Sequence, residues 1–363
     1  AVLCAGLDAL FAQGVRQAEA GEFTRRAFLN GKMGLSEAEA VHDLITARTA
    51  EAAQNAAAQV MGAVGSPVQQ MRDELLGMVA HFHAVVDFPD EDIDPVLFED
   101  AAALLHRTTS RLYSMAESYE RGRILREGVP CVILGRPNAG KSTLLNTLLG
   151  RERAIVTDIP GTTRDLIEEN VKVGQILLRV TDTAGLRTTD DPVEAIGVTR
   201  ARGKLEQSSL VLAVLDGSAP LSDEDRELVL SLRERPAVAI LNKSDLGQSG
   251  DEDWVRQQLT HCVTLSAREG TGLAELDTAV REALSLGAVD PSAPMLANER
   301  QRGCVRRACS AVEEALDAQR MGMTMDAVNI CIDEALEALL ELDGRQITDA
   351  VVDEVFANFC VGK

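Results

Sequence analysis

Residues 135–142 read GRPNAGKS, a GxxxxGK[ST] loop set between the apolar run 129–134 and Thr143, Leu144 and Leu145. A strand, a glycine turn and a helix start in that order form a phosphate cradle. Gly135 and Gly140 let backbone N–H groups converge on anionic oxygens, and the dipole of the following helix reinforces them. Asn138, Ala139, Gly140, Lys141, Ser142 and Thr143 are the candidate lining residues. The Lys141 ammonium can neutralise β and γ phosphates, and the Ser142 hydroxyl can ligate magnesium. The chemistry predicted is that of a nucleoside triphosphatase.

The base is read further along. Asn242, Lys243, Ser244 and Asp245 spell NKSD after the apolar run 237–241. A carboxylate such as Asp245 accepts from both N1–H and the exocyclic amine of guanine, whereas adenine sets an acceptor against it. In an α/β pattern downstream of the phosphate loop, the motif predicts guanine. Ser266 and Ala267, after the short run 262–265, can add a backbone contact to the base.

Between these motifs, Asp182, Thr183, Ala184 and Gly185 give DTAG after the run 176–180. Asp182 can hold magnesium through water, and the Gly185 N–H can sense the γ phosphate. Upstream, Pro160, Gly161, Thr162, Thr163, Arg164 and Asp165 form a small-residue segment whose threonine hydroxyl completes the metal shell only with triphosphate bound, which is how such a loop switches. Leu186 follows DTAG and cannot orient water, so hydrolysis must recruit another group. Glu194 is the best local carboxylate, with Asp190, Asp191 and Glu224 less favoured and a solvated acidic loop the plain alternative. No arginine stands out as a finger; the Asn138 carbonyl oxygen can hold a monovalent cation in that place.

The elements that must position these groups alternate between strand and helix over 124–286. Candidate strands at 129–134, 176–180, 210–215, 237–241 and 263–265 predict a mostly parallel sheet covered by helices, an α/β P-loop GTPase domain. At 363 residues the chain exceeds one nucleotide-binding domain of about 160 to 200 residues. Segments 36–62, 67–86 and 101–125, and, beyond a linker at 287–294, 304–319 and 325–342, have helical texture. The expectation is an all-α helical domain in two parts, 34–125 and 289–363, with the GTP-binding domain inserted at 126–288. Insertion requires entry and exit to lie close together.

Composition bounds the rest. Seven cysteines without paired metal-ligand spacing predict a reducing compartment and no zinc or disulfide scaffold. Nothing approaches about 18 continuous apolar residues, so a soluble, cytoplasmic chain with no membrane partner is expected. There is no initiating Met and no signal-like segment, which predicts a fragment or processed form. A formal charge of −21 argues against broad attraction to nucleic acid, while a local basic patch can still touch RNA. Arg300, Arg302, Arg306 and Arg307 form the one concentrated positive stretch, a solvated helix face by default. One Trp and two Tyr leave few stacking platforms for bases.

Two further segments stand apart. Residues 21–32 read GEFTRRAFLNGK, a glycine-bounded positive stretch expected as a helix–loop surface, and the chain ends FCVGK. Cys360 is either a thiol held near another active centre by the helix beneath it or an inert residue on a frayed end. The final Lys363 does not fit prenylation.

GEFTRRAFLNGK, GRPNAGKS, PGTTRD at 160–165, DTAGLR at 182–187, NKSD and the terminal FCVGK together resemble the MnmE (TrmE) family of tRNA modification GTPases. GRPNAGKS and NKSD occur in many translation GTPases; their combination with FLNGK and CVGK is much narrower. The resemblance spans essentially the whole chain, with residues 1–33 matching only the end of the family's folate-binding amino-terminal region. It implies a homodimer whose GTP-binding domains approach each other across potassium ions. Asn138 matches the potassium-ligating asparagine, and the carbonyls of Thr157 and Ile159, on either side of Asp158, match the potassium-holding loop. Thr163 matches the magnesium-binding switch threonine, and Glu194 fits the glutamate that orients the attacking water through a water network. Cys360 matches a terminal cysteine linked to modification.

The resemblance further implies tRNA and the FAD-binding MnmG (GidA) protein as partners. Their complex modifies the wobble uridine at carbon 5 with a folate one-carbon unit and glycine or ammonium, the folate being expected for the full-length protein. A ribosome-assembly GTPase with a helical RNA-binding module, or a non-enzymatic guanine-nucleotide sensor, are the alternatives. Association with MnmG or with a ribosomal subunit separates the first of them from this reading.

Overall fold

The computed structural model describes residues 2–87, 98–151, 169–180, 208–247, 251–286, 293, 295–346, 348–357 and 359. Two compact units emerge, one of Ala1–Ala47, Ala52–Arg123 and Pro291–Lys363, the other of Arg48–Glu51 and Ile124–Asp290. In chain order the helices α1 (Val2–Ala12), α2 (Glu22–Leu29), α3 (Leu35–Thr46), α4 (Ala50–Val60), α5 (Gly65–Asp87) and α6 (Phe98–Glu127) precede β1 (Val129–Leu134) and α7 (Lys141–Arg151). Then come β2 (Glu169–Val173), β3 (Ile176–Val180), β4 (Leu210–Asp216), α8 (Asp223–Ser231), β5 (Ala237–Asn242), α9 (Glu252–Gln258), β6 (Cys262–Thr264) and α10 (Leu273–Ala283). Three further helices follow, α11 (Glu299–Arg320), α12 (Met325–Asp343) and α13 (Asp349–Ala357).

In the second unit a six-stranded sheet runs β2-β3-β1-β4-β5-β6, parallel throughout except for β2, which pairs antiparallel with β3. Period-two alternation divides its side chains between two cores. Leu210, Leu212 and Val214 of β4 join Val238 and Ile240 of β5, Leu144 of α7 and Val280 of α10 on one face. Val211, Ala213 and Leu215 join Leu241, Val229 of α8 and Val255 of α9 on the other. A strand apolar on both faces needs helices on both sides, which is why these runs read as continuous apolar stretches. Because β1, β4 and β5 are parallel, their carboxyl ends share one edge, and the loops that leave them meet there. Strand β2 is an addition to the expected set: in ENVKV only Val171 and Val173 are buried, too short a pattern to read as a strand.

The first unit is all helix among its described elements. Val305, Ala308, Val312 and Ala315 of α11 share a core with Val328, Ile332, Ala335 and Leu339 of α12, at the three- and four-residue spacings of a helix face. Met71 and Leu75 of α5 and Leu105 and Leu112 of α6 enter the same core. The helical segment expected at 36–62 is two helices, because Ala47 takes φ −54° and ψ 129° and breaks the ladder. A smaller core gathers Leu35, Ala38, Val352, Phe356 and Phe359, with Phe28 packed against it. The segment 21–32, expected as a helix–loop surface, therefore contributes a core contact as well, since the Phe28 ring lies 6.4 Å from that of Phe356, which in turn packs 4.9 Å from Phe359.

The basic stretch is corrected by its partners. Arg300 is no solvated charge: its guanidinium donates from Nε to Glu39 Oε1 at 2.7 Å and from Nη2 to Oε2 at 2.8 Å, and from Nη1 to the Glu341 carbonyl at 3.0 Å. Gln301 Nε2 donates to Glu39 Oε2 at 2.9 Å, and Ser36 Oγ to the Leu342 carbonyl at 3.1 Å. Burial pushes the Glu39 carboxyl up, but the Arg300 hydrogen bonds and charge, helped by Asn298 and Gln301, outweigh it and hold the group below its usual range. Arg302 lies over the Tyr119 ring at 4.6 Å and pairs with Glu299, Arg307 pairs with Glu341, and Arg306 is exposed. No helix among the described residues is long and apolar enough to cross a membrane.

Candidate nucleotide site

At the carboxyl end of β1 the chain turns through Gly135 (φ 146°), Asn138 (φ 62°) and Gly140 (φ 101°), all in the left-handed region. A Cβ on Gly135 would fall on the Val214 carbonyl oxygen, and one on Gly140 on the Asn242 side-chain amide. Both glycines are thus required by close approach as well as by backbone angle. Helix α7 starts at once, with the Leu144 N–H donating to the Gly140 carbonyl at 2.9 Å. Lys141 Nζ donates to the carbonyls of Gly135 and Arg136, each at 2.9 Å, so the ammonium lies folded over the loop that its motif predicts will hold phosphate. Ser142 is half-buried in the first helical turn, and Asn138 and Thr143 are exposed.

Asn242 ties this loop to the base-reading segment. Its Nδ2 donates to the Ala139 carbonyl at 2.9 Å and its Oδ1 accepts from the Ala267 N–H at 2.9 Å, with the residue 2% exposed. Thr147 Oγ1 of α7 adds a bond to the Ala267 carbonyl at 2.6 Å. One buried amide therefore fixes two loops against each other, and its hydrogen-bonding capacity is spent largely inside the protein. Asp245 is exposed, and its Oδ1 accepts from the fully buried Ser266 Oγ at 2.6 Å, which aims the carboxylate. Lys243 sits at φ 66° and its Nζ meets Asp216 Oδ2 at 2.6 Å. Asp216 also accepts from the Ser218 N–H at 3.1 Å and Oγ at 2.6 Å. Burial raises its carboxyl, but those bonds and the Lys243 charge prevail and lower it below the usual carboxylate range.

Sequence reasoning missed three contributors: Asp216, Thr147, and Arg136 with its partner Asp225. Arg136 leaves the phosphate loop to meet Asp225 Oδ2 at 3.3 Å and Glu224 Oε2 at 3.5 Å, so the carboxylate weighed as a catalytic alternative, Glu224, is an exposed ion-pair partner. The available signal for Asp216 was a lone acid ending the apolar run LVLAVL just before Gly217. The structure brings together Asn138, Ala139, Gly140, Lys141, Ser142 and Thr143 with Asn242, Lys243, Asp245, Ser266 and Ala267 at one sheet edge. Thr157, Asp158, Ile159, Pro160, Gly161, Thr162, Thr163, Asp182, Thr183, Ala184, Gly185, Leu186, Asp190, Asp191, Glu194 and Cys360 lie outside the described residues.

A parallel sheet whose first strand runs through a glycine-rich loop into α7, joined in one chain to a helical unit, defines a P-loop protein with a G domain and a helical domain. The family description "MnmE helical domain" matches residues 35–360. The tRNA modification GTPase MnmE of Heliobacterium modesticaldum is 42% identical over 98% of this chain and 78% of its own length, and that of Acetivibrio thermocellus 38% identical over the same shares. The chain belongs to the MnmE family of tRNA modification GTPases. Among solved structures, the FeoB G domain from Methanococcus jannaschii is 26% identical, with a TM-score of 0.31, over 43% of this chain and 98% of that one.

Proposed function

We propose that the chain hydrolyses GTP in a potassium-activated, dimerising G domain, and that this turnover is coupled through the FAD-binding MnmG protein to modification of the tRNA wobble uridine at carbon 5. The observation that carries the reading is the Asn242 bridge, which makes the GKS loop and the Asp245 carboxylate parts of one hydrogen-bonded unit. Lys141 is then the phosphate-neutralising cation and Asp245 the guanine acceptor. The backbone N–H groups from Asn138 to Thr143 hold the phosphates, and the Ser266–Ala267 turn closes on the base. Magnesium would be held by Ser142, Thr163 and Asp182 and would neutralise the β and γ oxygens. Potassium would be held by Asn138, Thr157 and Ile159 and would supply the charge that a finger arginine supplies elsewhere. The half-buried hydroxyl of Ser142 and the exposed amide of Asn138 are oxygen donors, which fit such hard cations.

Glu194 orients the attacking water through a water network; the water oxygen bonds to the γ phosphorus as the bond from that phosphorus to the β–γ bridging oxygen breaks, GDP leaves with the charge on that oxygen, and the water's protons pass to the inorganic phosphate and to solvent. Thr162 and Thr163 belong to the loop that the γ phosphate orders, and the Gly185 N–H, after Thr183 and Ala184, senses the same phosphate. Residues 1–33 are read as the end of the folate-binding region, with Cys360 serving the modification chemistry in the cytoplasm. Glu194→Ala is expected to bind GTP as the parent does and to lose hydrolysis by at least about 100-fold. Filter binding alongside phosphate release checks this, and full turnover in the variant would remove Glu194 from the mechanism.

A further inference from the structure

The Lys243 side chain does not run out into solvent. From its left-handed backbone position after β5 it turns back to the end of the neighbouring strand β4, where its Nζ meets Asp216 Oδ2 at 2.6 Å. Asp216 and Asn242 are register partners across β4 and β5, and the Gly217 N–H donates to the Asn242 carbonyl at 2.9 Å, so the two strand ends are bound side by side. Two bonds from Ser218, to the same carboxylate, leave Asp216 little rotational freedom. An unpaired lysine would sample many rotamers and carry a strongly hydrated head; anchored at both ends, its four-carbon stem becomes a fixed apolar strip two residues from Asp245.

We infer that Asp216 is a positioning residue for the guanine site: by holding the Lys243 ammonium at the end of β4 it preorganises the lysine stem and so lengthens the residence of guanine nucleotides. The inference rests on the reading of Asp245 as the guanine acceptor. Its energetic origin is preorganisation, since the ordering cost of the long side chain is met on folding and not at binding.

The experiment is release of a fluorescent N-methylanthraniloyl GDP from the full chain, followed by stopped flow for Asp216→Ala, Asp216→Asn, Asp216→Glu, Lys243→Ala and the Asp216→Ala, Lys243→Ala double variant. Asp216→Ala is expected to release the probe about tenfold faster, the scale of one charge-assisted hydrogen bond. Asp216→Asn, which keeps the shape and an acceptor but not the charge, should fall between it and the parent, and Asp216→Glu should recover much of the loss. In the Lys243→Ala background, removing Asp216 should change the rate less than twofold, because the residue acts through the lysine. Parental release from both Asp216→Ala and Asp216→Asn, or effects that multiply in the double variant, would overturn the inference. Failure of the unsubstituted chain to bind the probe would instead remove the guanine reading on which it stands.

Discussion

Replacing Lys141 by alanine is expected to lower kcat/KM for GTP hydrolysis roughly 10³- to 10⁴-fold while leaving the melting temperature within about 2 °C of the parent. The ammonium rests on two loop carbonyls, Gly135 and Arg136, at 2.9 Å each, and is not built into either core. Its loss therefore costs little in folding. Those carbonyls are weak anchors for a full charge compared with the β and γ oxygens of a triphosphate, so substrate should draw the ammonium away from them, and part of its binding energy grows as charge shifts in the transition state. Lys141→Arg should not rescue, because a planar guanidinium cannot follow the compact ammonium between the loop and the phosphates. Steady-state phosphate release with a thermal melt checks both halves. A variant within tenfold of the parent would mean that Lys141 is not the phosphate cation.

The second large effect is on stability. Glu39 and Arg300 form a two-pronged ion pair with side-chain exposures of only 10% and 16%. Removing one partner leaves the other charge buried and uncompensated, so Glu39→Ala or Arg300→Met is expected to cost about 3–5 kcal/mol. The double substitution should cost less than the two singles together, since the attraction is lost only once. The pH dependence has a definite sign. The folded-state carboxyl of Glu39 is depressed, so its stabilisation is fully present above the unfolded-state value of about 4.3 and fades as pH falls through the lower folded-state value. The stability gap between the parent and Glu39→Gln should accordingly be widest near neutrality and narrow in acid. Guanidinium unfolding at pH 7 and again below pH 4 measures it; a gap that widened in acid would contradict the assignment of the charged state.

What could be read in the sequence was whatever is local. The strand runs around Leu212 and Ile240 announce themselves because both faces of a parallel sheet are covered, and GRPNAGKS because its glycines answer a backbone demand within eight residues. What escaped depends on partners far off in the chain. Arg300 looked solvated because it opens a run of arginines on one helix; its partner is Glu39, on α3, 261 residues earlier in the chain. Asn242 could be read as the start of NKSD, but that its amide joins Ala139 to Ala267 depends on loops that follow β1 and β6, far from it in the chain. Strand β2 escaped for the opposite reason: an edge strand with one buried face needs only two valines, and two valines are not a pattern.

In the proposed mechanism the G domain borrows a potassium ion to stabilise the charge on the transferring phosphoryl group. Phosphate release at a fixed saturating concentration of magnesium GTP, in buffers of equal ionic strength containing potassium or sodium, tests it most directly. Turnover at least about tenfold faster in potassium is predicted, with Asn138→Ala reducing the rate in potassium to near the sodium level. Equal rates in the two salts would contradict it.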